Sequence, residues 1–300
     1  MYFALLGSAL LVGCLLAVQA SANLQLTKAV GTPYGASTLQ LGLAAAVLAA
    51  LAVATGTIGA VALVPDVEPW HLLGGLASPL YITSGILLFP RLGALAAVGL
   101  FVTGQMFASL VLDLFGLLGL HQKPLSAGIV IGALAVLAGI TVIAQPKIRH
   151  VGWIGLGVLA GAVLPVQGAI NAQLRADLHA PIAVALISFV VATLAIAVVL
   201  LFNRTPPPNL APLKDMPWWG WLGGGCAAAY VTATFLLIPE IGAATTVVLT
   251  VTGQQLASAL IDHRGLFRMP RRPFTPARVA GLSLLVAGSL LVQFGSDSPG

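Results

Sequence analysis

The chain reads as a succession of long apolar runs separated by short polar or proline-bearing breaks. About 20 apolar residues are needed for a helix to cross the hydrocarbon core. Ten stretches meet that requirement, near 2–26, 34–57, 70–89, 93–113, 125–144, 151–174, 181–202, 218–238, 242–262 and 277–294. The pattern predicts an all-α polytopic membrane protein of ten transmembrane helices. The connections are mostly short and leave no room for a soluble catalytic domain. Whatever the chain does, it does within or across the bilayer.

The polar positions repeat. Sliding the chain against itself by about 148 residues brings Gln19, Asn23, Leu26 and Pro33 onto Gln167, Asn171, Leu174 and Pro181. One further residue of shift brings Trp70, Gly74, Gly75, Tyr81, Thr83, Pro90 and Gly93 onto Trp219, Gly223, Gly224, Tyr230, Thr232, Pro239 and Gly242. It also places Thr103-Gly104-Gln105, Ser109, Asp113 and Gly116 on Thr252-Gly253-Gln254, Ser258, Asp262 and Gly265. The fifth span adds Pro124, Gly132 and Gly139 on Pro273, Gly281 and Gly288. Five spans per half force the second half to enter the membrane inverted. The expected organisation is therefore a first repeat over 1–146 and an inverted second repeat over 147–300, with the boundary near Pro146–His150. Inverted repeats around a midplane site are a recurring plan of secondary transporters.

Composition fits lipid as the covering solvent. Hydrophobic residues make up 59% and charged residues 7%, with a mean hydropathy of +1.03, whereas a soluble domain carries about a quarter of its residues charged. The net charge of +5 sits in loops, a membrane-orientation pattern that argues against nucleic-acid binding. Loops on one side receive Lys28, Arg91, Lys147, Arg149, Arg204, Lys214, Arg264, Arg268, Arg271, Arg272 and Arg278, and the other side only Lys123 and Arg175. The positive-inside rule then puts both termini outside a bacterial inner membrane and Arg264–Arg278 beside anionic headgroups. Leu11-Val12-Gly13-Cys14 and Ala20-Ser21-Ala22 mimic cleavage sites, but Lys28 is the first charge and a signal peptide begins with a positive region. Cys14 and Cys226 occupy unmatched positions and are expected to stay unbridged. No metal-ligand spacing is present, so neither a metal nor a cofactor is expected.

The run Gln19-x3-Asn23-x2-Leu26, followed by Gly31-x-Pro33, resembles the signature of YdcZ-type proteins, a branch of the drug/metabolite transporter superfamily. The Thr-Gly-Gln-x3-Ser-x3-Asp runs of spans four and nine are similar to the same family, whose five-span units also occur fused into ten-span chains. The resemblance covers nearly the whole chain and implies a transporter fold without a definite substrate. Ten-span relatives are usually drawn with their termini inside, whereas the charges of this chain put them outside. One departure is His179 in the place of Gly31, so the turn before Pro181 lacks its glycine. The proton-exchanging glutamate found in the first helix of the superfamily's small multidrug branch has no counterpart in spans one or six, which argues against multidrug cation exchange.

Polar side chains inside a membrane are functional candidates by default. Gln19 and Asn23, like Gln167 and Asn171, are four apart on one helix face. Two readings stand for them: substrate contact, or amide packing worth about 0.6–2 kcal/mol each. Spans four and nine carry polar stripes, Gln105–Ser109–Asp113 and Gln254–Ser258–Asp262, with Gln255 an amide of the second half alone. A midplane cavity lined by Tyr81, Thr103, Gln105, Tyr230, Thr252 and Gln254 is expected, against the alternative of a closed hydrogen-bond network. Asp113 and Asp262 at span ends, and the loop residue Glu240, are the candidates for gating or coupling, against simple solvation. Pro79 and Pro165 could kink their helices for binding or only for packing. The stretch from Thr205 to Pro212 is expected to be a stiff linker.

These features favour a secondary transporter of a small polar or amphipathic metabolite. A lipid-linked substrate flippase and a non-transporting scaffold are the alternatives, and an enzyme is not expected. A fused ten-span chain already contains its pseudo-symmetric pair, so a monomer suffices, with a homodimer as the alternative.

Overall fold

The computed structural model describes residues 2–119, 122, 125–144, 151–202, 210–241 and 243–294. Lys123, Pro124, Lys147, Arg149, Arg204, the 206–208 prolines and the 146–150 boundary lie outside the described residues. Ten α-helices follow in order: α1 (Tyr2–Val30), α2 (Pro33–Ala54), α3 (Ala77–Leu92), α4 (Ala94–Phe115), α5 (Ala127–Ala144), α6 (Val151–Leu178), α7 (Pro181–Phe202), α8 (Leu222–Ile241), α9 (Ala243–Arg264) and α10 (Pro276–Phe294). Six spans, α1, α2, Pro69–Leu92, α4, α6 and α7, are long and apolar enough to cross a membrane by length and composition. The chain is a polytopic helical membrane protein of two five-helix repeats.

Two boundaries differ from expectation for local reasons. α1 continues past 26 to Val30, because its terminator is Gly31 at φ +80, a left-handed cap that glycine adopts without a Cβ clash. The third span opens as 3-10 helix over Pro69–Leu76 before it becomes α3. Pro79 therefore falls in the first turn of α3, where a missing N–H interrupts no helical hydrogen bond. The segment before it, Thr57–Asp66, also winds as 3-10 helix.

The halves are interlocked by matched contacts. α5 packs on α10 and α2 on α7, each helix against its own counterpart. α4 packs on α6, and α9 on α1, as the equivalent pair. The glycines of the Thr-Gly-Gln runs make these crossings close. A methyl on Gly104 would meet the Val158 carbonyl oxygen at 1.9 Å, and one on Gly253 would meet that of Leu10 at 1.9 Å. Gly161 against Phe101 and Gly13 against Thr250 complete the two crossings, both at 2.0 Å. Small residues let membrane helices approach this closely, and symmetric positions do it twice.

Charge separates the two ends of the bundle. The C-termini of α1, α3 and α9 share one end with Lys28, Arg91, Lys214, Arg264, Arg268, Arg271, Arg272 and Arg278, against Asp215 and Asp262 there. The opposite end, where α6 and α8 finish, carries Asp66, Glu68, Asp113, Asp177 and Glu240 with Arg175. These are called the basic end and the acidic end below.

Candidate functional site

The polar stripe of α9 is sealed at the basic end. Gln254, Gln255, Ser258 and Asp262 are all buried. Asp262 caps α4 from across the repeat boundary, its Oδ1 accepting from Ala94 N at 2.7 Å and its Oδ2 from Leu95 N at 3.2 Å. A carboxylate at a helix N-terminus is favoured by the unsatisfied N–H groups and the helix dipole. Arg278 Nη2 donates to Asp262 Oδ2 at 3.0 Å, while Arg272 donates to the carbonyls of Leu92 (2.9 Å) and Arg91 (3.0 Å). One buried carboxylate thus ties α9, α10 and the α3–α4 turn together. Deeper in, Gln254 Nε2 donates to the Tyr81 hydroxyl at 2.9 Å, and Tyr81 leans on Phe101.

The matching stripe of α4, which runs toward the acidic end, is less buried. Gln105, Ser109 and Asp113 are half-buried. A small groove, partly open to the outside, runs between α4, α9 and α10. Gln105, Met106 and Ser109 line it from α4, Val247, Val248 and Val251 from α9, and Ser289 and Val292 from α10, with Val102 at its floor. Tyr230, the counterpart of Tyr81, is half-buried, and no hydrogen bond joins it to Gln105 among the described residues. Thr103 turns back onto the Gly99 carbonyl at 2.8 Å, and Thr252 is half-buried. The cavity-facing residue of the proposed set is therefore Gln105, and Gln254 and Tyr81 pair with each other at the sealed end. Glu240 is exposed at the acidic end.

The Gln/Asn pairs sit away from the groove, at crossings between the halves. Asn23 lies against Gly223, where a methyl would meet Asn23 Oδ1 at 2.0 Å, and Asn171 lies against Gly74 at 2.3 Å. Gln167 Nε2 donates to Ser78 Oγ (2.9 Å) and Ser188 Oγ (3.3 Å), and Asn171 Nδ2 donates to Ser188 Oγ (3.2 Å). At the basic end Gln40 occupies the position of Ser188 and donates to the Gly223 carbonyl at 3.4 Å. The oxygens Gln19 Oε1, Asn23 Oδ1 and Gln40 Oε1 have no partner there. An unpaired buried polar group costs about 1–3 kcal/mol, so this cluster is under less favourable terms than its serine-rich counterpart.

Two further residues escaped the sequence reading. Gln25 Nε2 donates to the Phe267 carbonyl at 2.9 Å and Gln173 Nε2 to the Leu118 carbonyl at 3.0 Å. Each clasps the chain just beyond α9 or α4, where Phe267 and Leu118 both take φ 55. The signal was present: Gln25 and Gln173 match at the same 148-residue shift as Gln19 and Gln167. The Gly31 turn also has its equivalent, since His179 takes φ 50 and closes α6 through its N–H to Arg175 O, as Gly31 does to Thr27 O, both at 2.9 Å.

A family model described as "Putative inner membrane exporter, YdcZ" matches residues 4–142 and again 152–291, so one family unit is found twice. A solved structure described only as "Crystal structure of protein" is 20% identical, covers 95% of this chain and 96% of its own, and superposes with a TM-score of 0.60. That likeness concerns the fold alone. No curated protein matches the chain.

Proposed function

The chain belongs to the YdcZ family of the drug/metabolite transporter superfamily, inner membrane exporters rather than an enzyme class, and from that premise we propose that it moves a small polar or amphipathic metabolite by alternating access. The carrying observation is the unequal state of one symmetric crossing: α4 and α9 meet tightly at Asp262 and part at Gln105 and Ser109. Because the two halves have matching residues, the opposite arrangement is built from the same kinds of contact, which supports two exchangeable conformations. By the positive-inside rule the basic end is cytoplasmic, so the groove is the outward-open one and both termini lie outside. Arg264, Arg268 and Arg271 are exposed and suit anionic headgroups, whereas Arg272 and Arg278 are turned inward to the Asp262 knot.

The test is uptake into proteoliposomes of a solute first identified by its thermal stabilisation of the purified protein. Gln105→Ala and Ser109→Ala are each expected to cut uptake at least tenfold with little loss of fold. Uptake unchanged in both variants would remove the groove from the transport path. Movement of labelled lipid with no soluble solute would replace the reading by a flippase.

A further inference from the structure

Among the described residues, Gln255 is a completely buried amide with both polar atoms, Oε1 and Nε2, unpaired. Buried amides are almost always paired, so one with both ends unpaired needs a reason. The repeat supplies it. Gln255 corresponds to Met106, which lines the open groove and accepts a contact from Ser289 Oγ at 3.6 Å. In the other half, the position of Ser289 is held by Ile140, which offers no polar atom.

The same correspondence predicts a second groove. Val102 and Val251 exchange places under the repeat, and both line the open groove, so they mark its inner end for either half. Gln105 maps to Gln254, Met106 to Gln255 and Ser109 to Ser258. At the basic end these counterparts are packed shut, with Gln254, Gln255 and Ser258 exposed by 2% or less. We propose that Gln255, Gln254 and Ser258 form a second substrate subsite, opening toward the basic end when the Asp262 knot releases, and that it takes an uncharged amphipathic molecule bearing a hydrogen-bonding head such as an amide. This rests on the alternating-access reading above and names its substrate class.

The chemistry of both grooves supports that class. Among the described residues the open groove is lined by valines, a thioether, hydroxyls and one amide, with no charged side chain. An ion would lose its hydration there without a counter-charge. The second subsite replaces the Met106 thioether by the Gln255 carboxamide, which donates and accepts at once. A solute amide matches that pair of atoms and supplies the partners that Gln255 lacks.

Two measurements test this. In a background carrying Cys14→Ala and Cys226→Ala, single Gln255→Cys and Ser109→Cys variants are exposed to an impermeant methanethiosulfonate from each face of oriented vesicles. Ser109→Cys is expected to react from the acidic face only, and Gln255→Cys from the basic face only. An unreactive Gln255→Cys beside a reactive Ser109→Cys overturns the subsite and leaves the outward groove standing. Failure of both overturns the transport reading as well. The second measurement compares pentanamide with pentanoate and pentylamine as thermal stabilisers of the purified protein. Pentanamide alone is expected to raise Tm, and Gln255→Met, which installs the residue of the other half, to cut that rise by half or more. The same variant raises the ligand-free Tm, since it removes an unpaired amide. No pentanamide effect, an equal effect of the charged congeners, or an undiminished rise in Gln255→Met would each overturn the proposal.

Discussion

The basic and acidic ends of the α4–α9 crossing are built from matched residues and yet are in different states. At the basic end Asp262 is fully buried and holds two backbone N–H groups and Arg278. At the acidic end Asp113 is half-buried, one turn of α4 beyond the groove residue Ser109. The residues explain part of the inequality, because Arg278 corresponds to Ile129 and no arginine is available for Asp113 at that position. A fused chain can evolve its two halves apart, so the Arg278–Asp262 pair of the basic end has no arginine counterpart at the matching position of the other half. The lesson is that pseudo-symmetry fixes the set of contacts, and small departures from it choose which set is made.

The largest expected effect comes from cutting that pair. Asp262→Ala leaves Arg278 facing a buried void and uncaps α4. Losing one partner of a buried pair costs about 3–5 kcal/mol, and a large drop in Tm is expected. Asp113→Ala, at a half-buried carboxylate with Ile129 in the position of Arg278, is expected to cost less. Equal losses in the two variants would abolish the claimed difference between the ends.

The tyrosines sharpen the same comparison on a smaller scale. Tyr81→Phe removes the hydroxyl that accepts from Gln254 and strands a buried amide, at a cost of about 1–2 kcal/mol. Tyr230→Phe breaks no bond to Gln105 but loses the hydroxyl's contacts with Thr250 and Thr234, and a smaller loss of stability, of about 1 kcal/mol or less, is expected. If Tyr230→Phe costs as much as Tyr81→Phe, the two hydroxyls are held equally firmly and the distinction between the tyrosines is lost.

Much of this fold was legible because hydropathy and polar repetition are properties of the chain itself. Spans, repeat register and the stripes of α4 and α9 follow from them. Which end is open does not, because the Thr-Gly-Gln-x3-Ser-x3-Asp run is the same in both halves and its burial is decided by tertiary packing. The groove's wall was also illegible: Val247, Val248, Val292 and Ser289 look like ordinary lipid-span residues until α4, α9 and α10 are seen to part. The Gln19 and Gln167 pairs were visible as polar matches, but the opposed glycines Gly223 and Gly74 and the Gln167–Ser78 bond reveal that they meet the other half. Charge reading identified the Arg264–Arg278 cluster, while the inward turn of Arg272 and Arg278 depends on Asp262 and the Leu92 carbonyl.

The smallest expected effect tests how faithfully the halves keep one geometry. Gly31 and His179 occupy the same left-handed turn, at φ 80 and φ 50, each followed by a helix that begins at a proline. For a residue with a Cβ that conformation costs about 1–2 kcal/mol, while glycine takes it freely. The imidazole contributes only an exposed 3.3 Å contact to the Asp177 carbonyl, so little is lost with it. His179→Gly is therefore expected to stabilise the protein by about 0.5–1 kcal/mol, and Gly31→Ala to destabilise it by about 1 kcal/mol. Opposite shifts of Tm in the two variants mean that the repeat imposes the turn on whatever residue occupies it. A loss of stability in His179→Gly would mean instead that the histidine has been selected for a contact of its own at the acidic end, where His71 and Asp177 already bond the start of the third span to the last turn of α6.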